Sequence, residues 1–203
     1  HNLTIFHLMG QHVNYKQRYR MNQGRFWASS YEDKRPELTN AQRKMLSHYD
    51  NATLYNDSIV AQIVKRFQKQ DAIVIYVPDH GEECYEENRG FICRNHSANI
   101  DWPLAHYEFE IPFWIYCSPK YIKAHRKIYK QIRAAKDKRF MTDALPHLLL
   151  YLAGIETPTY KEEYNILSPK YNEMRPRILK NSVDYDKLRD EYYKKQEKKG
   201  AKK

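Results

Sequence analysis

The chain has 203 residues, a formal net charge of +10, 41% hydrophobic residues and 14% aromatic residues, a composition typical of a globular domain with a packed core. No apolar run approaches the roughly 20 residues that a helix needs to cross a bilayer, which excludes a membrane-spanning chain. No signal peptide is expected, because the chain opens inside a strand-like apolar run. We therefore expect it to be the C-terminal fragment of a longer protein.

The excess positive charge lies mainly at 120–139 and in the tail at 186–203. It fits solvated helix faces, attraction to anionic lipid headgroups, or nucleic-acid binding. No zinc-finger spacing, RNA-binding sheet motif or basic zipper accompanies the charge, so we do not expect nucleic acid as a partner. Solvated helix faces are the first interpretation, and an anionic membrane surface is the second.

Strands and helices alternate along the chain. Apolar, β-branched runs predict strands at 2–8, 72–77 and 109–117, the third with Pro112 at an edge or a bulge. Helical spacing predicts helices at 41–70, 121–136 and 144–153, the first being one helix or two with a break near Asp50 and Asn51. A cap for the first is expected within residues 38–40, and Gly154 is expected to end the last. A long polar loop is expected at 79–107. This order predicts an α/β fold with a mostly parallel central sheet flanked by helices.

Two further features concern chain organisation. Residues 1–160 carry the α/β pattern, and residues 161–203 are expected to form an irregular to helical basic extension. Cys84 and Cys93 flank an acidic loop, and a local disulfide between them is an option in an oxidising compartment. Cys117, inside an apolar run, is expected to be a buried thiol.

Metal-binding residue types follow the predicted strands. In open α/β sheets, ligand sites lie beyond the carboxyl ends of the strands. His12 follows the first strand, Asp79 and His80 open the stretch D-H-G-E-E after the second, and His96 lies in the loop that follows. A carboxylate and several imidazoles at one edge favour a divalent metal, and zinc suits such mixed ligands.

Three other residues are weaker candidates for the same site. His7 lies within an apolar strand and could equally be a core histidine. Glu82 is expected to support the ligands or to face solvent, with a direct role as the alternative. His106, near the third strand, is a less favoured alternative to His96.

An ordered set of motifs resembles the phosphoethanolamine transferase family, within the alkaline phosphatase/sulfatase superfamily. The segments are F-H-L-M-G-Q-H-V-N-Y, H-Y-D-N-A-T-L-Y-N-D, I-V-I-Y-V-P-D-H-G-E, I-P-F-W-I-Y and T-D-A-L-P-H-L-L-L-Y-L-A-G. They span about residues 2–157 in the family's order. Members modify lipid A, and the mobile colistin-resistance enzymes are among them. The resemblance implies that residues 1–160 are the C-terminal part of a sulfatase-like catalytic domain, incomplete in this chain.

The resemblance implies zinc-dependent transfer of phosphoethanolamine from phosphatidylethanolamine to lipid A or another envelope glycan. Asp79 and His80 would ligate the catalytic zinc, while His12 and His96 would bind the phosphoryl group or a second zinc. The family's nucleophilic Thr and a metal-binding Glu lie upstream of its His-x-x-Gly-x-His segment, so this chain alone is expected to be inactive. The full-length protein would be anchored at the periplasmic face of the bacterial inner membrane.

Two alternatives stay open. A sulfatase or a related phospho- or sulfo-ester hydrolase would also use the D-H-G-E motif, but with a Cys or Ser nucleophile in a motif that this chain lacks. The other is a non-catalytic, metal-stabilised module that binds the bacterial envelope.

Overall fold

The computed structural model describes residues 2–95 and 99–200, which form six α-helices and three two-stranded antiparallel sheets. The helices are α1 (Asn40–Phe67), α2 (Trp102–Phe109), α3 (Pro119–Ala124), α4 (Arg126–Ala134), α5 (Leu145–Ala153) and α6 (Tyr185–Gly200). The strands are β1 (Ile73–Tyr76), β2 (Glu83–Cys84), β3 (Ile92–Cys93), β4 (Trp114–Cys117), β5 (Ile178–Leu179) and β6 (Val183–Asp184). No helix among these residues is both long and apolar enough to cross a membrane.

Helix α1 is one continuous helix of 28 residues, so the alternative of a break near Asp50 does not occur. Thr39 begins it with a capping box, in which the Thr39 side chain accepts from the backbone N–H of Gln42 and the Gln42 side chain accepts in return. This arrangement satisfies backbone donors that every helix start leaves unpaired. The cap lies where the sequence predicted it.

The prediction of a mostly parallel sheet is wrong for the described residues, because β1 and β4 pair antiparallel, from Ile73 opposite Cys117 to Tyr76 opposite Trp114. A parallel neighbour needs a crossover that returns the chain to the start of β1. Here α2 stays at the end of β1, where the N–H of Gly81 donates to the carbonyl of Glu108 at 2.8 Å. The chain therefore enters β4 where β1 ends and runs back along it.

The predicted strand at 2–8 is also not observed, since this segment has no regular secondary structure and lies outside the three sheets of the described residues. Leu3 and Ile5 are 74% and 80% exposed. A strand needs a hydrogen-bonded neighbour to satisfy its backbone groups, and apolar pattern alone does not provide one. Phe6 makes an edge contact with Phe67 at the end of α1.

The predicted basic helix at 121–136 is two helices, because the backbone leaves helical geometry at His125 between α3 and α4. Ile128 and Ile132 of α4 pack with Leu148 of α5 in an apolar cluster. Gly154 ends α5 in a left-handed conformation with φ of 68°, as its position after the apolar helix predicted.

Residues beyond 160 are irregular as far as the β5–β6 hairpin, after which α6 begins. Tyr185 of α6 packs with Trp102 and Ala105 of α2. Asp186 makes a bidentate contact with Arg177 in the same region. Arg177 Nη2 lies 2.7 Å from Asp186 Oδ1, and Arg177 Nε lies 3.2 Å from Asp186 Oδ2. The basic tail thus starts as a docked helix.

Cys84 and Cys93 are both free thiols, so the disulfide considered from the sequence does not form. In the β2–β3 pair, Cys84 lies opposite Ile92 and Cys93 lies opposite Glu83. Side chains directly opposite each other share a face of the sheet, and successive residues alternate between faces. The two cysteines therefore point to opposite faces. Cys117 is a half-buried thiol.

Candidate metal centre

The stretch Asp79–Gly81 follows β1 and is held tightly against α2. The N–H of Gly81 donates to the carbonyl of Glu108, and a Cβ atom on Gly81 would lie 2.2 Å from the carbonyl oxygen of Tyr107. Only glycine permits so close an approach of two backbones. The residues on either side of Gly81 are thereby fixed in position at the end of the strand.

Asp79 and His80 present two ligand atoms side by side. Asp79 Oδ2 and His80 Nε2 are 3.5 Å apart. Two ligand atoms at zinc–oxygen and zinc–nitrogen bond lengths in tetrahedral geometry lie about 3.3 Å from each other. The spacing of the pair therefore suits two ligands of one zinc ion. The Asp79 side chain is 86% exposed, which leaves its carboxylate accessible.

The backbone fixes the chemical form of His80. Its Nδ1 lies 2.7 Å from the carbonyl oxygen of Gly81. A carbonyl only accepts hydrogen bonds, so Nδ1 carries a proton, and in the neutral imidazole the lone pair then lies on Nε2. A metal-ligating histidine is commonly oriented in this way, with one ring nitrogen bound to a backbone carbonyl and the other to the metal.

Arg94 lies against both of these residues. Its guanidinium contacts His80 Nε2 and is 3.8 Å from Asp79 Oδ2. A guanidinium has donors and no acceptor, so its approach agrees with an unprotonated Nε2. The guanidinium therefore occupies Nε2 in this structure, and a metal ion at Nε2 requires the Arg94 side chain to move aside.

Glu82 connects this stretch to the N-terminal segment, because its carboxylate accepts a hydrogen bond of 2.7 Å from the Tyr15 hydroxyl. Burial raises the pKa of Glu82, and the Tyr15 hydrogen bond opposes that rise. The charges of His80, Arg94 and His12 also lower the pKa of Glu82. His12 is thus close enough to Glu82 to influence the pKa of that carboxyl.

The tyrosine–carboxylate link is itself buried. Burial raises the pKa of the Tyr15 hydroxyl, and the hydrogen bond to Glu82 raises it further. The phenol consequently stays protonated and keeps donating to Glu82. Tyr15 is 3% exposed and stacks edge-on against Tyr49 of α1, which anchors the segment that carries His12.

Helix α1 holds the same segment through the Y-D-N motif. The Asn51 side chain accepts from the backbone N–H groups of Arg25 and Phe26, at 2.6 and 3.0 Å, and donates to the Phe26 carbonyl at 2.9 Å. Asp50 accepts a short hydrogen bond from Tyr31. Asp50 and Asn51 thus hold the loop before α1 in place, which is a structural role.

The other predicted site residues do not join the cluster. His7 is exposed in the irregular N-terminal segment. His106 stacks on Trp102, and its Nδ1 lies 3.0 Å from Glu110, so its ring is engaged on α2. His96 lies outside the described residues. Within residues 2–95 and 99–200, no group of three or more His, Cys, Asp or Glu side chains is arranged to hold a metal ion.

Sequence reasoning missed Tyr15 and Arg94. Tyr15 is one of 18 tyrosines, and nothing in its local pattern marks it as the partner of a residue 67 positions later. Arg94 stands two residues before His96, in a loop whose path a pattern of residue types does not define. Its proximity to the candidate ligand His96 was the one available signal.

Three comparisons with known proteins agree on the kind of protein this chain resembles. The Sulfatase family model matches residues 2–155. The phosphoethanolamine transferase EptC of Escherichia coli O18:K1:H7 is 33% identical over 193 residues, which cover 92% of this chain and 32% of that protein. The Kdo(2)-lipid A phosphoethanolamine 7''-transferase of Escherichia coli K12 is 30% identical over 145 residues, covering 68% of this chain and 23% of that protein.

A solved structure matches the fold. The zinc complex of the C-terminal periplasmic domain of EptC from Escherichia coli superposes with a TM-score of 0.69 at 29% identity, covering 87% of this chain and 49% of that one. These matches confirm the predicted resemblance to phosphoethanolamine transferases and the α/β, alkaline phosphatase/sulfatase-like fold. The chain spans about a third of the curated EptC relative and about half of the solved domain.

Proposed function

Because the chain belongs to the sulfatase family over residues 2–155, we propose that it contributes Asp79 and His80 to the zinc site of a phosphoethanolamine transferase. The observation that carries the proposal is the ligand pair itself. Asp79 Oδ2 and His80 Nε2 are 3.5 Å apart, and the Gly81 carbonyl fixes Nε2 in the form that binds a metal. The solved relative that is a zinc complex gives independent support for zinc as the metal.

When bound, zinc would lower the pKa of a hydroxyl nucleophile and offset negative charge on the transferred phosphoryl group. Asp79 and His80 would hold the ion. Arg94, displaced from Nε2 by the ion, would remain a nearby positive charge, and planar guanidinium donors suit phosphoryl oxygens. We propose that His12 and His96 bind the phosphoryl group or a second zinc. The described residues do not complete a four-ligand shell, so further ligands are required.

Phosphatidylethanolamine is the proposed donor, and lipid A or another envelope glycan is the proposed acceptor. The support is the printed activity of the relatives, one of which is a Kdo(2)-lipid A phosphoethanolamine transferase. The nucleophilic Thr is proposed to lie outside residues 1–203. The proposed location is the periplasmic face of the inner membrane, supported by the match to a periplasmic domain. Membrane anchoring belongs to the proposed full-length protein.

Zinc binding by the 203-residue chain tests the ligand assignment. Zinc at about 100 times its dissociation constant should stabilise the folded chain by about 2.7 kcal/mol, because it binds the folded state alone. That stabilisation corresponds to a rise in melting temperature of roughly 5–10 °C. Asp79→Asn should abolish most of the rise, and metal content after dialysis should fall in parallel.

The matched control is Asp137→Asn. The Asp137 side chain is 85% exposed, and among the described residues its carboxylate forms an ion pair with Lys136 alone. It should keep the full zinc response. Equal zinc responses in the Asp79 variant and the native chain would refute the ligand assignment. A response lost equally in both variants would also contradict a site specific to Asp79, because Asp137 is not one of the candidate ligands.

Transfer is tested in a chimera, in which this chain replaces the matching segment of Escherichia coli EptC. Mass spectrometry of envelope glycolipids should show added phosphoethanolamine in cells lacking their own EptC, and Asp79→Asn should remove it. Hydrolysis of an aryl sulfate without lipid modification would instead identify a sulfatase. If a folded, zinc-binding chimera shows neither activity, the result would favour the non-catalytic module.

A further inference from the structure

Helices α3 and α4 enclose an open groove of about 690 Å³ on the protein surface. Its apolar lining consists of Pro119, Ile122 and Tyr129. Four cationic side chains surround these residues, namely Lys123, Arg126, Lys130 and Arg133. This set of seven residues is called the cationic groove below.

The groove exists because the chain bends at His125. The backbone there has φ of −119° and ψ of 49°, which ends α3 and redirects the chain into α4. The His125 ring packs on Tyr121 with centroids 4.3 Å apart, and its Nε2 lies 3.3 Å from Asp71 Oδ2. Ile128 of α4 faces the apolar cluster below, so the opposite side of the helix forms the groove wall.

The positive charge of the groove is not neutralised by nearby side chains. Residues 119–136 contain seven Lys and Arg and no Asp or Glu. In the described part of the chain, the ion pairs of this stretch are His125 with Asp71 and Lys136 with Asp137. The four groove cations are exposed and take no part in them. An uncompensated cluster of this kind attracts anions at low ionic strength.

We propose that the cationic groove docks the protein onto an anionic phospholipid surface. Long Lys and Arg side chains lay apolar stems along an apolar floor and extend their charges outward, as at membrane interfaces. Ile122 and Tyr129 between the charges suit the boundary of headgroups and acyl chains. Nucleic-acid recognition is less favoured, because binding to a phosphate backbone depends on cationic contacts and does not require the apolar residues between them.

The docking surface is separate from the candidate metal ligands. Helix α3 begins at the Ile73–Cys117 end of the β1–β4 pair, whereas Asp79 and His80 follow its Tyr76–Trp114 end. A lipid surface on the groove therefore leaves Asp79 and His80 uncovered. The inference goes beyond the proposed function and does not depend on it.

Co-sedimentation of the 203-residue chain with lipid vesicles tests the proposal. The chain should bind vesicles of phosphatidylcholine mixed with phosphatidylglycerol, and not vesicles of phosphatidylcholine alone. Binding should weaken strongly between about 0.1 M and about 1 M salt, where the Debye length falls from about 10 Å to about 3 Å. The double variant Lys130→Gln with Arg133→Gln should lower the vesicle partition coefficient about 25-fold, because each lost charge lowers it about fivefold.

The matched control combines Lys194→Gln with Lys195→Gln on α6, which removes the same charge from two exposed positions elsewhere. It should bind vesicles nearly as the native chain does. Both double variants should keep the native melting temperature and zinc binding, since all four side chains are exposed. Equal losses in the two variants would overturn the proposal in favour of general charge attraction. Tighter binding to duplex DNA than to anionic vesicles would overturn the lipid assignment.

Discussion

Gly81→Ala is the substitution for which the structure makes the sharpest prediction. The added Cβ atom would lie 2.2 Å from the Tyr107 carbonyl oxygen and 3.4 Å from the Glu108 Cα atom. Both neighbours are backbone atoms of α2, so no side-chain rotation can relieve the collision. The stretch after β1 and helix α2 must separate by roughly 1 Å to restore van der Waals contact.

The cost has two parts. Forcing an extra methyl group into a packed contact costs about 1–3 kcal/mol. The separation also lengthens the hydrogen bond from the Gly81 N–H to the Glu108 carbonyl, which is worth about 1 kcal/mol. Together they lower the free energy of unfolding by about 2–4 kcal/mol, or the melting temperature by roughly 5–15 °C for a chain of this size. Because Asp79 and His80 move with Gly81, zinc affinity should fall as well.

Thermal unfolding followed by circular dichroism measures the change, with Gly154→Ala as the control. Gly154 has φ of 68°, and a Cβ atom added to it would have no neighbour within 4 Å, so its variant incurs the left-handed backbone cost of about 1 kcal/mol without a collision. Gly81→Ala should therefore destabilise the protein more than Gly154→Ala and alone weaken zinc binding. A melting temperature of Gly81→Ala within about 2 °C of the native value would refute the close-approach argument.

Two other substitutions test how the surrounding structure is held. Asn51→Ala should lower the free energy of unfolding in urea by about 2–4 kcal/mol, because it removes three hydrogen bonds that the buried Asn51 side chain makes with the backbone of Arg25 and Phe26. Asp186→Asn should cost about 2 kcal/mol at neutral pH, because the hydrogen bond from Arg177 holds the pKa of that carboxyl below its usual value. The native carboxyl stabilises the fold above its unfolded pKa of about 3.9 and loses this effect as pH falls through the lower folded pKa, so the two proteins should converge in stability in acid. A constant difference between them from neutral to acid pH would contradict the ion-pair explanation.

Local signals in the sequence located the helices better than the strands. The cap at Thr39 and the terminating Gly154 each depend on a few adjacent residues, and the start of α1 and the end of α5 lie where predicted. Strand pairing depends on where the chain returns, which no local pattern states. The apolar segment at 2–8 has the composition of a buried strand but pairs with none of the described residues. The antiparallel β1–β4 pair likewise follows from the placement of α2.

The candidate ligand pair was easier to locate from the sequence than the residues that support it. Asp79 and His80 are adjacent in sequence and follow a strand, so residue type and position were sufficient to place them together. The contact between Tyr15 and Glu82 joins residues 67 positions apart, and Arg94 reaches the site from a loop. Contacts of this kind depend on the complete fold, because each partner is one of several chemically equal residues in the sequence.

The four residues of the D-H-G-E stretch have separate physical roles. Asp79 and His80 offer the two candidate ligand atoms, Gly81 permits the backbone contact with α2, and Glu82 binds the hydroxyl of Tyr15. Two roles concern chemistry, and two concern the position of that chemistry relative to α2 and to the segment that carries a third candidate histidine. Because one positioning contact comes from α2 and the other from Tyr15, the ligand pair is held by two parts of the chain that are distant in sequence. A motif of four residues is therefore an informative signal of function only when the surrounding fold supplies both of these contacts.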